Sequence, residues 1–176
     1  MVSLTNLWIG ENTMKAALIM GSDSDFPILK PAVSLLKEFG IEAEVVVASA
    51  HRTPAKVRTF VEGAPAKGIS AFIVAAGAAA HLAGVVASYT TLPVIGIPIN
   101  ATALNGMDAL LSTVQMPSGI PVATMAVNGA KNAAIFVAEI FSVSDRGIAE
   151  KLKAYREKMV SDVEKKAERV KSQLWS

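Results

Sequence analysis

The chain has 176 residues, 52% of them apolar and 18% charged, with no cysteine and a formal charge of +2. That length supports one well-buried domain, and that composition excludes an intrinsically disordered chain. Without cysteine there is no disulfide framework, thiolate metal site or thiol nucleophile, in keeping with a reducing cytoplasm. So small a net charge leaves no electrostatic footprint for nucleic acid.

Residues 1–14 read as an N-terminal extension. Met1–Thr13 lacks the basic start and unbroken apolar run of a signal peptide. Short apolar runs then alternate with helix-like stretches. The predicted order is strand Ala16–Met20, helix Asp25–Phe39, strand Ala43–Val47, helix Pro54–Lys67, strand Ala71–Ala75 and helix Ala80–Ser88. Strand Val94–Ile97, helix Met107–Gln115, strand Val122–Ala126 and helix Lys131–Phe141 follow. Most of the strand runs are almost wholly apolar, which means burial on both faces, as in a parallel sheet covered above and below. Five βα units over residues 15–145 predict a doubly wound, three-layer αβα sandwich, flavodoxin-like or Rossmann-like.

Residues 146–176 form a separate element. Ile148, Leu152, Tyr155, Met159, Val163, Ala167, Val170 and Leu174 recur every three or four residues among Lys, Arg and Glu, which predicts a long amphipathic helix. From Gly68 to Ser144 the only charged side chains are Asp108, Lys131 and Glu139, whereas residues 145–176 carry 15 of the 32 charges. So charge-poor a surface calls for a covering partner. Gly and Pro interrupt it before any membrane-length apolar run forms. A homo-oligomer follows, with the terminal helix packed on a neighbouring subunit and no membrane involved.

In such sheets, ligands bind beyond the carboxyl ends of the strands. The first strand leads into Gly21-Ser22-Asp23-Ser24-Asp25, a hydroxyl-rich helix start that suits a phosphate or serves as an ordinary N-cap. Its acids are better placed on sugar hydroxyls than around an anion. No Gly-Lys-Ser/Thr follows, so it is not a Walker loop. The second strand leads into Ser49-Ala50-His51-Arg52-Thr53-Pro54, where Arg52 offers a guanidinium fork for phosphate and His51 a group that titrates near neutral pH. The third leads into Gly77-Ala78-Ala79-Ala80-His81-Leu82, where scarce side chains let backbone approach a small planar or carboxylate group. Two histidines and no cysteine are too few for a metal centre. A dinucleotide fingerprint is also lacking, so no metal or cofactor is expected.

With Gln115-Met116-Pro117, these segments resemble the class I N5-carboxyaminoimidazole ribonucleotide mutases, the phosphoribosylaminoimidazole carboxylase catalytic-subunit family, from about Lys15 to Tyr155. The resemblance implies a flavodoxin-like, cytoplasmic, cofactor-free homo-octamer of de novo purine synthesis. Its members move a carboxylate from the exocyclic nitrogen of an aminoimidazole ribonucleotide to ring carbon C4. It implies that His51 is the general acid/base. Ser22, Asp25 and Arg52 would hold the ribonucleotide, with Ser24 and Ser49 beside them. Gly77, Ala78, His81 and Leu82 would border the carboxylate or CO2. Ala78 stands where the family has a second glycine, and Ala83 where it has proline. Direct carboxylation of aminoimidazole ribonucleotide by CO2, a non-catalytic nucleotide-binding module on the same fold and a purely structural oligomer are the alternatives.

Overall fold

The computed structural model describes residues 14–174, so the extension over Met1–Thr13 lies outside the described residues. Five strands, β1 (Lys15–Met20), β2 (Glu42–Val47), β3 (Ile69–Gly77), β4 (Val94–Ile99) and β5 (Ala123–Thr124), form one sheet in the order β2-β1-β3-β4-β5. Every ladder is parallel. This is the flavodoxin-like order, and its topological switch point lies between β1 and β3.

Alternation along the strands builds two cores. Leu18, Met20, Ile73, Ala75, Ile95 and Ile97 face α1 (Phe26–Phe39), α5 (Ala130–Ser142) and the start of α6 (Arg146–Leu174). Ala17, Ile19, Phe72 and Val74 face α2 (Pro54–Gly63) and α3 (Leu82–Ser88). The remaining helix, α4 (Met107–Val114), packs on β4 and β5. Burial on both faces is what made most strand runs continuously apolar.

Three elements differ from the sequence expectation. The edge strand β2 is only half-buried, with Val45 and Val47 exposed and Glu42 and Glu44 paired to Lys15 at 3.0 and 3.1 Å. Charge along an edge discourages further strand pairing. The predicted helix Pro54–Lys67 ends at Gly63, and a separate 3-10 turn covers Pro65–Lys67. Pro65 has no N–H with which to continue the helix. Strand β5 shrinks to two residues, although Met125 and Asn128 still donate backbone bonds to the Gly96 and Pro98 carbonyls of β4.

The terminal helix divides its allegiance. Ile148 and Leu152 are buried in the chain's own core, the Tyr155 ring meets Phe39 edge-on, and Lys151 Nζ donates to the Phe39 carbonyl at 3.1 Å. From Met159 onward its apolar stripe, Val163, Val170 and Leu174 included, is exposed. So its first turns cap the home sandwich, and only the later ones are free to cover another surface.

Gly96 of β4 packs closely against the second core. A Cβ there would lie 2.5 Å from Thr113 Cγ2 and 2.9 Å from Val122 Cγ1. Both are short branched side chains with little room to retreat. Gly96→Ala is therefore expected to cost about 1–3 kcal/mol by overpacking. Urea unfolding checks this as a lower midpoint at an unchanged slope.

Candidate active site

The ladders pair Met20 with both Val47 and Ala75, so β1 and β2 end level while β3 runs two residues farther, to Gly77. Three turns therefore leave the sheet side by side and enclose a cleft of about 340 Å³. That volume is within the usual range for a small-molecule site. A larger hollow of about 450 Å³ lies at the amino ends of β4 and β5, between Leu92, Pro93, Ile120 and Pro121, and its lining has no titratable side chain. Chemistry selects the smaller cleft.

The first turn presents hydroxyls. Ser22 is extended and caps the 3-10 turn Asp23–Asp25 by accepting from Ser24 N–H, and the Ser22 and Ser24 hydroxyls lie 2.8 Å apart. Asp25 is only 7% exposed. Burial pushes its carboxyl above the ordinary range. The Ser22 backbone and the Ser24 side chain pull it back down, the Asp23 charge adds to the rise, and Arg52 opposes it.

The second turn is closed on itself. Thr53 N–H donates to the Ser49 carbonyl at 2.9 Å, Ser49 N–H to Thr53 Oγ1 at 2.9 Å, and Arg52 N–H to Ser49 Oγ at 3.2 Å. Arg52 then reaches across and donates from Nη2 to the Gly21 carbonyl at 2.8 Å. This clamps the second turn to the first and fixes the guanidinium at the cleft wall, so less side-chain entropy remains to be lost when an anion arrives.

The third turn is nearly bare. Gly77 is required there, since a Cβ would come within 2.6 Å of Ala101 Cβ. Ala78 is left-handed, at φ 52°. That conformation costs an L-residue about 1–2 kcal/mol and explains a glycine preference at this position.

Ser22, Ser24, Asp25, Ser49, His51, Arg52, Gly77, Ala78 and Leu82 all line the cleft. His81, also picked out from the sequence, is outside that lining. Its Nδ1 lies 3.0 Å from His51 Nε2, so it meets the cleft through His51. Gly21, Ala50, Ala76, Ala79 and Ala101 complete the wall. Ala101 comes from the loop after β4, and an isolated alanine carries no chemical signal by which the sequence could have exposed it. Among the described residues no cluster of three His, Asp or Glu side chains is placed to hold a metal ion, and no helix is long and apolar enough to cross a membrane.

The AIR carboxylase family model matches residues 15–162. The chain is 50% identical over 156 residues to the N5-carboxyaminoimidazole ribonucleotide mutase of Thermotoga maritima, covering 89% of this chain and 91% of that protein. It is 55% identical over 154 residues to the enzyme of the same name from Methanocaldococcus jannaschii, covering 88% and 96%. The crystal structure of Treponema denticola PurE superimposes with a TM-score of 0.79 at 31% identity, over 89% of this chain and 98% of that one.

Asp25 generates a pH prediction. Its raised folded-state pKa means that the folded protein holds the proton more tightly than the unfolded chain. The resulting stability is fully present below the ordinary carboxylate pKa and is lost as pH rises through the folded one. Asp25→Asn is thus expected to melt above the parent at neutral pH, with the gap narrowing as pH falls toward the ordinary value of 3.8. Melting curves across that range check it.

Proposed function

The chain belongs to the AIR carboxylase family, and from that membership we propose that it converts N5-carboxyaminoimidazole ribonucleotide to 4-carboxy-5-aminoimidazole ribonucleotide in de novo purine synthesis. It is an isomerase of the mutase type. The observation that carries this reading is one cleft with a single imidazole in its wall, flanked by a fixed guanidinium and a bare Gly-Ala turn.

The chemistry fits these parts. The substrate carbamate breaks its N–C bond, the electron pair stays on nitrogen, and nitrogen takes a proton from the His51 imidazolium. CO2 is released beside an electron-rich ring whose C4 attacks it, and the C4 proton then passes to His51 to restore aromaticity. Atoms and charge balance over the cycle with one group acting first as acid and then as base. An imidazole, which can both give and take a proton, suits that double duty. Arg52 holds the phosphate, Asp25 and the Ser22, Ser24 and Ser49 hydroxyls take the ribose and phosphate oxygens, and Gly77, Ala78 and Leu82 border the freed CO2. Retaining the CO2 requires a small, closed pocket at that turn.

Supply of 13C-carboxylated substrate with excess unlabelled bicarbonate tests the reading. The label is expected mostly in the C4 product. Dilution to the bicarbonate pool, with ready use of unsubstituted aminoimidazole ribonucleotide, would show a carboxylase instead. His51→Asn keeps hydrogen bonding but cannot cycle a proton, so turnover is expected to fall by about 10²–10⁴-fold with ribonucleotide affinity largely kept. Single-turnover kinetics beside equilibrium binding separate the two.

The assembly proposed is a homo-octamer in the cytoplasm. Met107, Leu111 and Val114 leave an exposed apolar seam along α4, with Leu104 in the turn before it, within the charge-poor stretch, and the later turns of α6 add a second. Such seams signal contact with further copies. Leu111→Glu is expected to yield a smaller species by light scattering with unchanged far-ultraviolet dichroism.

A further inference from the structure

We propose that His81 is a positioning residue for His51. Its Nδ1 accepts the His51 Nε2–H bond, which keeps that proton on Nε2 and leaves His51 Nδ1 as the nitrogen that trades a proton with the substrate. The inference rests on the mutase reading and adds the tautomer to it.

The two ring nitrogens are 3.0 Å apart, a hydrogen-bond separation. The rings stand 86° apart with centroids at 5.1 Å. They meet edge-on, so stacking does not account for their closeness. One nitrogen must carry the hydrogen and the other must not, and the separation alone allows either direction.

The reaction cycle chooses between them. His51 alternates between imidazolium and neutral imidazole. The imidazolium has no lone pair, so in that state its Nε2 can only donate, and His81 Nδ1 must accept. If the neutral state reversed the bond, the proton lost from His51 would be the one facing His81, which cannot reach the substrate. A bond running from His51 to His81 in both states makes Nδ1 the nitrogen that gives and regains a proton. Neutral His81 then carries its own hydrogen on Nε2.

The backbone that carries each ring is anchored. His81 is the N-cap residue of α3, its N–H donating to the Ala79 carbonyl at 2.8 Å and its carbonyl accepting from Val85 N–H at 3.0 Å. His51 sits within the closed Ser49–Thr53 turn. Among the described residues His81 is the one side chain hydrogen-bonded to His51. Asp23, Asp25 and Arg52 are the charged groups of the adjoining turns, and their bonds go elsewhere. A carboxylate in the orienting place would hold a proton on the imidazole by charge. An imidazole in that place sets the tautomer through the hydrogen bond alone.

Neutron diffraction from deuterated crystals near neutral pH reads the bond directly. Deuterium is expected on His51 Nε2 and absent from His81 Nδ1. Deuterium on His81 Nδ1, or rings rotated apart, would overturn the proposal. Kinetics supply the second reading. His81→Phe is expected to lower kcat by about 10–100-fold, the range seen when a residue that orients a ligating or reacting histidine is removed, with KM nearly unchanged. In His81→Asn the side-chain oxygen takes the place of Nδ1, and most of the rate should return. A loss mainly in KM would make His81 a substrate contact and overturn the proposal, as would equal losses in both variants. If the unaltered enzyme lacked mutase turnover, the reaction reading would fall, while the deuterium position would still report the bond's direction.

Discussion

The site depends on one constraint of the sheet. β1 is flanked by parallel strands on both sides, in registers that bring Met20 opposite Val47 and opposite Ala75. Parallel pairing fixes strand direction as well as spacing, so the three chains leave the same edge of the sheet, β3 two residues beyond the others, and turn into their helices within reach of one another. Slippage of either ladder by one residue would turn every side chain of that strand to the other core. The two buried cores hold the cleft in place for this reason, although they contribute little to its surface.

On that platform the turns carry different burdens. Arg52 spans the first two through the Gly21 carbonyl and also reaches Ser49 Oγ from Nε at 3.5 Å, leaving its remaining donors for a ligand. Asp25 is buried against its own preference, which raises its pKa and lowers stability at neutral pH. Ala78 adopts a left-handed backbone at a further cost. All three devices hold polar or open geometry where a relaxed fold would place none. Strain and desolvation concentrated at one cleft are expected where ligand binding offsets them.

The surface shows the same economy in reverse. Leu104, Met107, Leu111 and Val114 are more exposed than a soluble surface helix ordinarily leaves such residues, and the far half of α6 repeats the pattern. The charges that would solubilise them are missing from the middle of the chain and crowded into its end. Cover by further copies, as in the proposed assembly, would take these side chains out of water.

Read by itself, the sequence determined the layer architecture, because period and apolarity report burial directly: Leu18, Ile73 and Ile95 could belong only to covered strands. It also marked the segments that the fold brings together around one cleft, because hydroxyls, His51, Arg52 and a Gly-Ala run all fall at strand ends. Short-range breakers were harder to weigh, as the early end of α2 at Gly63 shows, since Pro65 limits a helix without fixing its last residue. Lateral position was beyond its reach. The edge exposure of β2, the return of Ile148 and Leu152 to the home core, and the entry of Ala101 into the cleft wall all arise from contacts between segments distant in the chain. The tertiary structure alone decided that His81 meets His51 rather than the cleft, because a hydrogen bond across 30 residues depends on where β2 and β3 deliver their turns in space.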